Sequence, residues 1–127
     1  MSEAVQPPQE STPLDKCGHL TYHLTPADYW EEHRASAHYL PEGFAAEGFI
    51  HCTDTIAEVI AVGNRYYQAD RREFVLLELD CELISAPIVY EVPNKIFPHI
   101  YGALDVPAVK RVLPVERTGD GVFVSID

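Results

Sequence analysis

The sequence predicts an α+β domain, and three observations carry that reading. Its segments run β-α-β-α and then continue as strands alone, which suits a mixed α+β sheet better than a doubly wound one. Within 56–67, Ile56, Val59, Ile60, Gly63 and Tyr67 recur at helical spacing and form an amphipathic stripe. FVLLELD (74–80) is an almost continuous apolar run, of the length of a central strand buried on both faces.

Residues 1–16 carry Pro7, Pro8 and Pro13 among mostly polar neighbours and read as a disordered tail ahead of a single domain over 17–127. HLTYHL (19–24) alternates as a first strand. Thr25-Pro26-Ala27-Asp28 is a helix start, with Thr25 as N-cap and Pro26 at the first helical position, and the helix is expected to run to near Ala37. YLPEGFAAEG (39–48) reads as a loop and FIHC (49–52) as a brief strand. Thr53 or Asp54 is placed to cap the next helix, which ends by about Gln68. After the central strand, IVYEV (88–92) is a further strand, PNKIFPHIYG (93–102) a loop with a short extended centre, and Asp105-Val106-Pro107-Ala108 a single helical turn. KRVLPVE (110–116), TGDG (118–121) and VFVSI (122–126) form a strand, tight turn and strand.

Composition narrows the function classes. The longest apolar stretches fall far short of the ~20 residues of a spanning helix, so no membrane role is expected. The N-terminal segment has neither the basic and apolar regions of a secretory signal nor the arginines of a transit peptide. Cys17, Cys52 and Cys81 are scattered, with no C-x-x-C pair, which fits reduced thiols in a cytoplasmic protein. A net charge of −11 repels a polyanion and argues against nucleic acid as a partner, yet leaves room for one small phosphorylated ligand held locally. Arg65, Arg71, Arg72 and Lys95 are the cations available for that, though most such side chains are simply solvated. Nothing points to a protein partner.

The chemistry is expected at three histidines. His23 in YHLT and His51 in GFIHCT each sit at a strand end just before a helix, where free N–H groups attract anions, and His99 lies in a loop with Phe97 and Tyr101. A lone strand histidine is usually a hydrogen-bonded structural residue, and His19, His33 and His38 are read that way. Two strand-to-helix junctions and an aromatic loop together would make a cleft for a ligand with a phosphate and a ring.

YHLT, AAEGFIHCT, NRYY (64–67), LLELD (76–80) and FPHIYG (97–102) together resemble a bacterial and plant family, domain of unknown function 952, over about residues 19–115. That family looks like a compact member of the ADP-ribosyltransferase superfamily. The resemblance therefore implies a split, mostly antiparallel sheet with two main helices, gripping NAD in a bent pose. It implies that His23, with Thr25 behind it, holds a ribose hydroxyl, and that His51 lies on the nicotinamide side. His99 stands where such sites often carry glutamate. Arg65 and Lys95 would then meet phosphates, with Tyr101 beside the ring.

The histidine at the third position departs from the pattern, because a carboxylate stabilises the positive charge that develops on the ribose and an imidazole does so only when neutral. A three-histidine set is more similar to the RNA 2′-phosphotransferase branch, although the acidic surface opposes a long RNA. The expectation is a small nucleotide-like ligand: NAD, ADP-ribose or a relative, bound or processed at His23, His51 and His99. Zinc at the same histidines is an alternative, without any known zinc spacing to support it. A non-catalytic binding or regulatory module is another. Cys52 beside His51 is a weak nucleophile candidate, since neighbours on a strand point to opposite faces.

Overall fold

The computed structural model describes residues 12–91 and 96–126. In chain order its elements are β1 (Thr12–Pro13), β2 (Leu20–Pro26), α1 (Ala27–His33), β3 (His38–Tyr39), α2 (Phe44–Glu47), β4 (Ile50–His51) and α3 (Ile56–Tyr66). There follow β5 (Phe74–Asp80), β6 (Ile88–Tyr90), β7 (His99–Ile100), β8 (Leu104–Asp105), β9 (Val109–Arg117) and β10 (Phe123–Ile126), with short 3-10 turns at Cys81–Leu83 and Val106–Ala108. The α+β class holds. Among the described residues there are three helices rather than two main ones, α2 having only four residues.

The main sheet has the order β10-β9-β5-β2 and is antiparallel throughout. Its centre is β5, as the apolar run predicts, and Leu76, Leu77 and Leu79 are all fully buried there. Strand alternation sends them to two sides. Leu77 and Leu79 pack with Trp30, Tyr39, Ile50, Ile100 and Leu104, whereas Leu76 packs with Val59 of α3 and Leu113 of β9. Burying each such leucine contributes roughly 1.5–3 kcal/mol.

A second antiparallel sheet has the order β1-β6-β7-β4. The two meet where Tyr22 and Thr53 exchange both backbone hydrogen bonds, at 2.9 and 2.8 Å, so that together they form one curled antiparallel sheet. This bridge draws His23 toward the chain around His51. Among the described residues no helix is long and apolar enough to cross a membrane.

Several local expectations are corrected. Thr25 does not cap α1: it pairs with Val75 inside β2, its hydroxyl shares a 2.6 Å bond with that of buried Tyr39, and Pro26 is the cap residue with no side-chain bond. The helix stops at His33 because His38 and Tyr39 turn back to pair with Asp105 and Leu104. Burial of Tyr39 against Trp30 thus overrides the helical propensity of Ala35 and Ala37. The stretch read as a loop contains β3 and α2.

Thr55, not Thr53 or Asp54, caps α3 by accepting from the Glu58 amide at 3.3 Å. Thr53 is taken by the bridge, and the Asp54 carboxylate accepts from the hydroxyls of Thr21 and Tyr90. Within the expected tail, Thr12 and Pro13 pair with Tyr90 and Val89, and Leu14 joins the core. Pro13 is tolerated there because β1 is an edge strand.

Helix α3 can lie close on β10 because Gly63 has no side chain: a Cβ there would come within 2.7 Å of the Phe123 ring. Beside it Asn64 accepts from the Phe123 amide at 2.7 Å and donates to the Phe123 carbonyl at 3.0 Å, satisfying the edge of the sheet.

Candidate functional site

Two short strands build the site. Their sequences, Phe49-Ile50-His51 and His99-Ile100-Tyr101, each place an isoleucine between two rings. Side chains alternate along a strand, so Ile50 and Ile100 turn into the core while the flanking rings share the other face. The register makes His51 and His99 direct cross-strand partners, with ring centroids 4.9 Å apart. Phe49 stacks on His99 at 4.1 Å and 10°, meets the edge of His51 at 4.9 Å, and lies 5.4 Å from Tyr101.

Each imidazole is oriented by a carboxylate. Glu47 Oε2 lies 2.7 Å from His51 Nε2, and Glu91 Oε2 lies 2.5 Å from His99 Nδ1. The Tyr101 hydroxyl donates to that same Glu91 oxygen. Partial burial pushes the Glu91 carboxyl up, but the bonds from Tyr101 and His99 outweigh it and hold the group below the usual carboxylate range. Burial, and then the bond to Glu91, raise the Tyr101 phenol. His51 and His99 thus commit opposite ring nitrogens to their carboxylates.

His23 is brought to the same place but behind that face. Only 7% exposed, it donates from Nδ1 to the His51 carbonyl at 2.7 Å. A carbonyl can only accept, so the proton sits on Nδ1 and the lone pair on Nε2, which is buried without a partner among the described residues. Burial lowers its pKa from 6.5 to about 4, the carbonyl bond opposing only in part, and the ring is neutral near pH 7. An orphaned acceptor of this kind costs about 1–3 kcal/mol. Its place inside β2 also removes the argument from the α1 N-terminus.

Two cavities flank this arrangement. A groove of about 650 Å³ is lined by His51, His99, Arg65, Glu91, Tyr66 and Phe97, among others. A smaller cavity of about 220 Å³ contains His23, Phe44, Phe49 and Phe74. Arg65 therefore joins His51 and His99, with its guanidinium over the exposed Tyr66 ring at 5.5 Å. Thr25 lines the smaller cavity, yet its hydroxyl is committed to Tyr39. Tyr101 acts through Glu91 and does not line the groove. Lys95 lies outside the described residues. Arg72, another candidate cation, is paired with Glu42 and Asp70.

The residues that sequence reasoning missed are Glu47, Phe49, Tyr66 and Glu91. Alternation around Ile50 and Ile100 was the available signal for Phe49; no comparable pattern marks Glu91, which follows β6 and reaches His99 on the neighbouring strand β7. Among the described residues no group of three or more His, Cys, Asp or Glu side chains is arranged to hold a metal ion, so zinc on all three histidines is not supported. Cys52 is 3% exposed and its thiol is pushed well above its ordinary pKa by burial, which removes it as a nucleophile. Of the remaining histidines, His33 donates to the Tyr29 carbonyl and His19 lies against Tyr90 and Asp54.

What the arrangement can do follows from these parts. Two carboxylate-backed imidazoles, side by side on an open groove, can accept and donate protons. Arg65 supplies a positive charge at the same groove.

Comparison with known proteins agrees with the sequence resemblance at the family level. The model of a family described as a protein of unknown function (DUF952) matches residues 24–112. No curated protein matches the chain. Two crystal structures of protein CC0527 from Caulobacter crescentus, one a double mutant, superpose with a TM-score of 0.68 at 23% identity, over 83% of this chain and 93% of that one. The solution structure of CC0527 gives 0.59 at 22% identity, over 81% and 90%. At that identity the likeness speaks for the fold alone. With the family model spanning most of its folded residues, the chain belongs to the DUF952 family.

Proposed function

We propose that the groove binds, and processes, a small phosphorylated nucleotide such as NAD or ADP-ribose. The observation that carries this reading is the cross-strand pair His51 and His99, each held by a glutamate and both facing a groove that also contains Arg65. Its volume falls within the ~300–1,000 Å³ typical of small-ligand sites. In this reading Arg65 meets a phosphate, and His99, with Nδ1 held by Glu91, offers Nε2 as the proton acceptor. His51 is the second proton carrier. The carboxylate missing at position 99 is supplied one bond away by Glu91, which can stabilise positive charge developing on a ribose.

Kinship with ADP-ribosyltransferases, and a cytoplasmic setting for the free thiols of Cys17, Cys52 and Cys81, belong to the same proposal. Calorimetric titration tests it. Saturable binding of NAD or ADP-ribose is expected, weakened about tenfold or more in Arg65→Ala and in His51→Ala, since each removes about 1.5–3 kcal/mol of charge-assisted contact. No binding of either up to millimolar concentration would contradict it. Nicotinamide release on long incubation would separate turnover from binding alone.

A further inference from the structure

The groove and the smaller cavity share one wall. Glu47, His51 and Tyr67 line both. Glu47 and His51 have side chains 45% and 48% exposed and are joined by the 2.7 Å contact. Glu47 is the last residue of a four-residue helix, and Gly48 behind it sits at φ 83°, in the left-handed region. So short a helix contributes little stability of its own to hold Glu47 in place.

Behind the wall lies His23, which lines a cavity whose other sides include Phe44, Phe49 and Phe74. Its Nε2, itself covered, has no hydrogen-bond partner among the described residues. The cation of that cavity, Arg72, is already held by Glu42 and Asp70. The cavity therefore sets apolar ring faces beside His23, with the carboxylates of Glu42 and Asp70 already engaged by Arg72 and that of Glu47 by His51. At about 220 Å³ it is smaller than a whole-ligand site and of a size for a single ring.

We infer that the smaller cavity is a second compartment of the site, taking a planar ring, and that the Glu47–His51 pair is the partition the ring displaces on entry, uncovering His23 Nε2 for an exocyclic N–H donor of that ring. The inference rests on the nucleotide reading only for what occupies the groove. The carboxamide of nicotinamide and the amino group of adenine share the required chemistry, and the two ends of NAD can be told apart.

The test is nitrogen-15 NMR of the imidazoles in the full chain, titrated with NAD, ADP-ribose and nicotinamide separately. NAD is expected to move His23 Nε2 toward hydrogen-bonded values together with His51 and His99. If the ring is nicotinamide, ADP-ribose moves His51 and His99 only, and nicotinamide alone moves His23. If it is adenine, ADP-ribose moves all three. Responses at His51 and His99 with His23 Nε2 unmoved by any probe would overturn the compartment and leave the nucleotide reading standing. A His23 response to nicotinamide without any response to the nucleotides would do the reverse, and silence to all three would end both.

Glu47→Ala tests the partition, at an exposed residue. It should lower the midpoint of the His23 response about tenfold, by removing the closed state that competes with entry. An unchanged midpoint would show that the pair is not the partition.

Discussion

The guanidinium of Arg117 donates to the carbonyls of Tyr67, Arg72 and Gly121 and lies over the rings of Phe74 and Phe123, at 5.3 and 4.2 Å. Rings and charged groups also meet around His51, where Phe49 stacks on His99 and two glutamates hold two imidazoles. In the first region the polar groups are consumed by backbone acceptors from three separate segments, which locks the end of α3, the strand β5 and the β9–β10 turn together. In the second, each imidazole has one nitrogen committed to a carboxylate, on a face open to a groove. The same residue types thus make a structural joint at one place and a surface suited to chemistry at the other. Saturation of the hydrogen-bonding groups distinguishes them, not composition.

Substitutions at the joint should therefore act on stability and those on the face on binding. The largest effect is expected for Arg117→Met, which keeps some apolar contact but strands the carbonyls. A loss of about 3 kcal/mol in denaturant unfolding is expected, with nucleotide affinity of the folded protein unchanged. A loss of affinity at full occupancy of the native state would blur the distinction.

His23, buried behind the face, should behave as part of the joint when protonated. Its pKa is lowered from 6.5 to about 4, so the unfolded chain binds this proton first as the solution is acidified. The stability contributed by the neutral ring is full above pH 6.5, declines as pH falls, and is gone by about pH 4. The difference is about 3 kcal/mol, at 1.36 kcal/mol per unit. A His23 titration midpoint near 6.5 by NMR would refute the burial argument.

Gly63→Ala comes next, since its Cβ would meet the Phe123 ring at 2.7 Å and overpacking of this kind costs about 1–3 kcal/mol. Glu78 gives a subtler effect. It sits on β5 between Tyr22 and Arg111, its cross-strand partners, and the Arg111 guanidinium bonds hold its carboxyl below the ordinary 4.5. That contribution is present above pH 4.5 and fades as pH falls through the lowered value. Glu78→Gln should flatten this acid limb of the stability curve. The smallest effect on stability, under about 1 kcal/mol, is expected for His51→Ala, because the side chain is half exposed.

Much of the joint was legible in the sequence and less of the face. The run at 74–80 and the stripe on α3 announce burial through periodicity, and TGDG announces its turn, because local spacing alone fixes those features. His51 and His99 could be named from residue type, but not their separation, which depends on a register between strands almost fifty residues apart in the chain. The carboxylates were illegible for the same reason: Glu91 follows β6, and Glu47 belongs to a helix too short to leave a periodic signal. Thr25 misled because a threonine before Pro-Ala-Asp is a good local cap, whereas the buried Tyr39 hydroxyl needed a partner.

The central claim is that His51 and His99 form one ligand-binding face with Arg65. It is tested most directly by following both imidazoles by NMR as ADP-ribose is added to the native chain and to Arg65→Ala. The account predicts saturable shifts at both rings with a common midpoint, moved to at least about tenfold higher concentration in the variant. Rings that stay unmoved up to millimolar ADP-ribose, or midpoints that are identical in the two proteins, would contradict it.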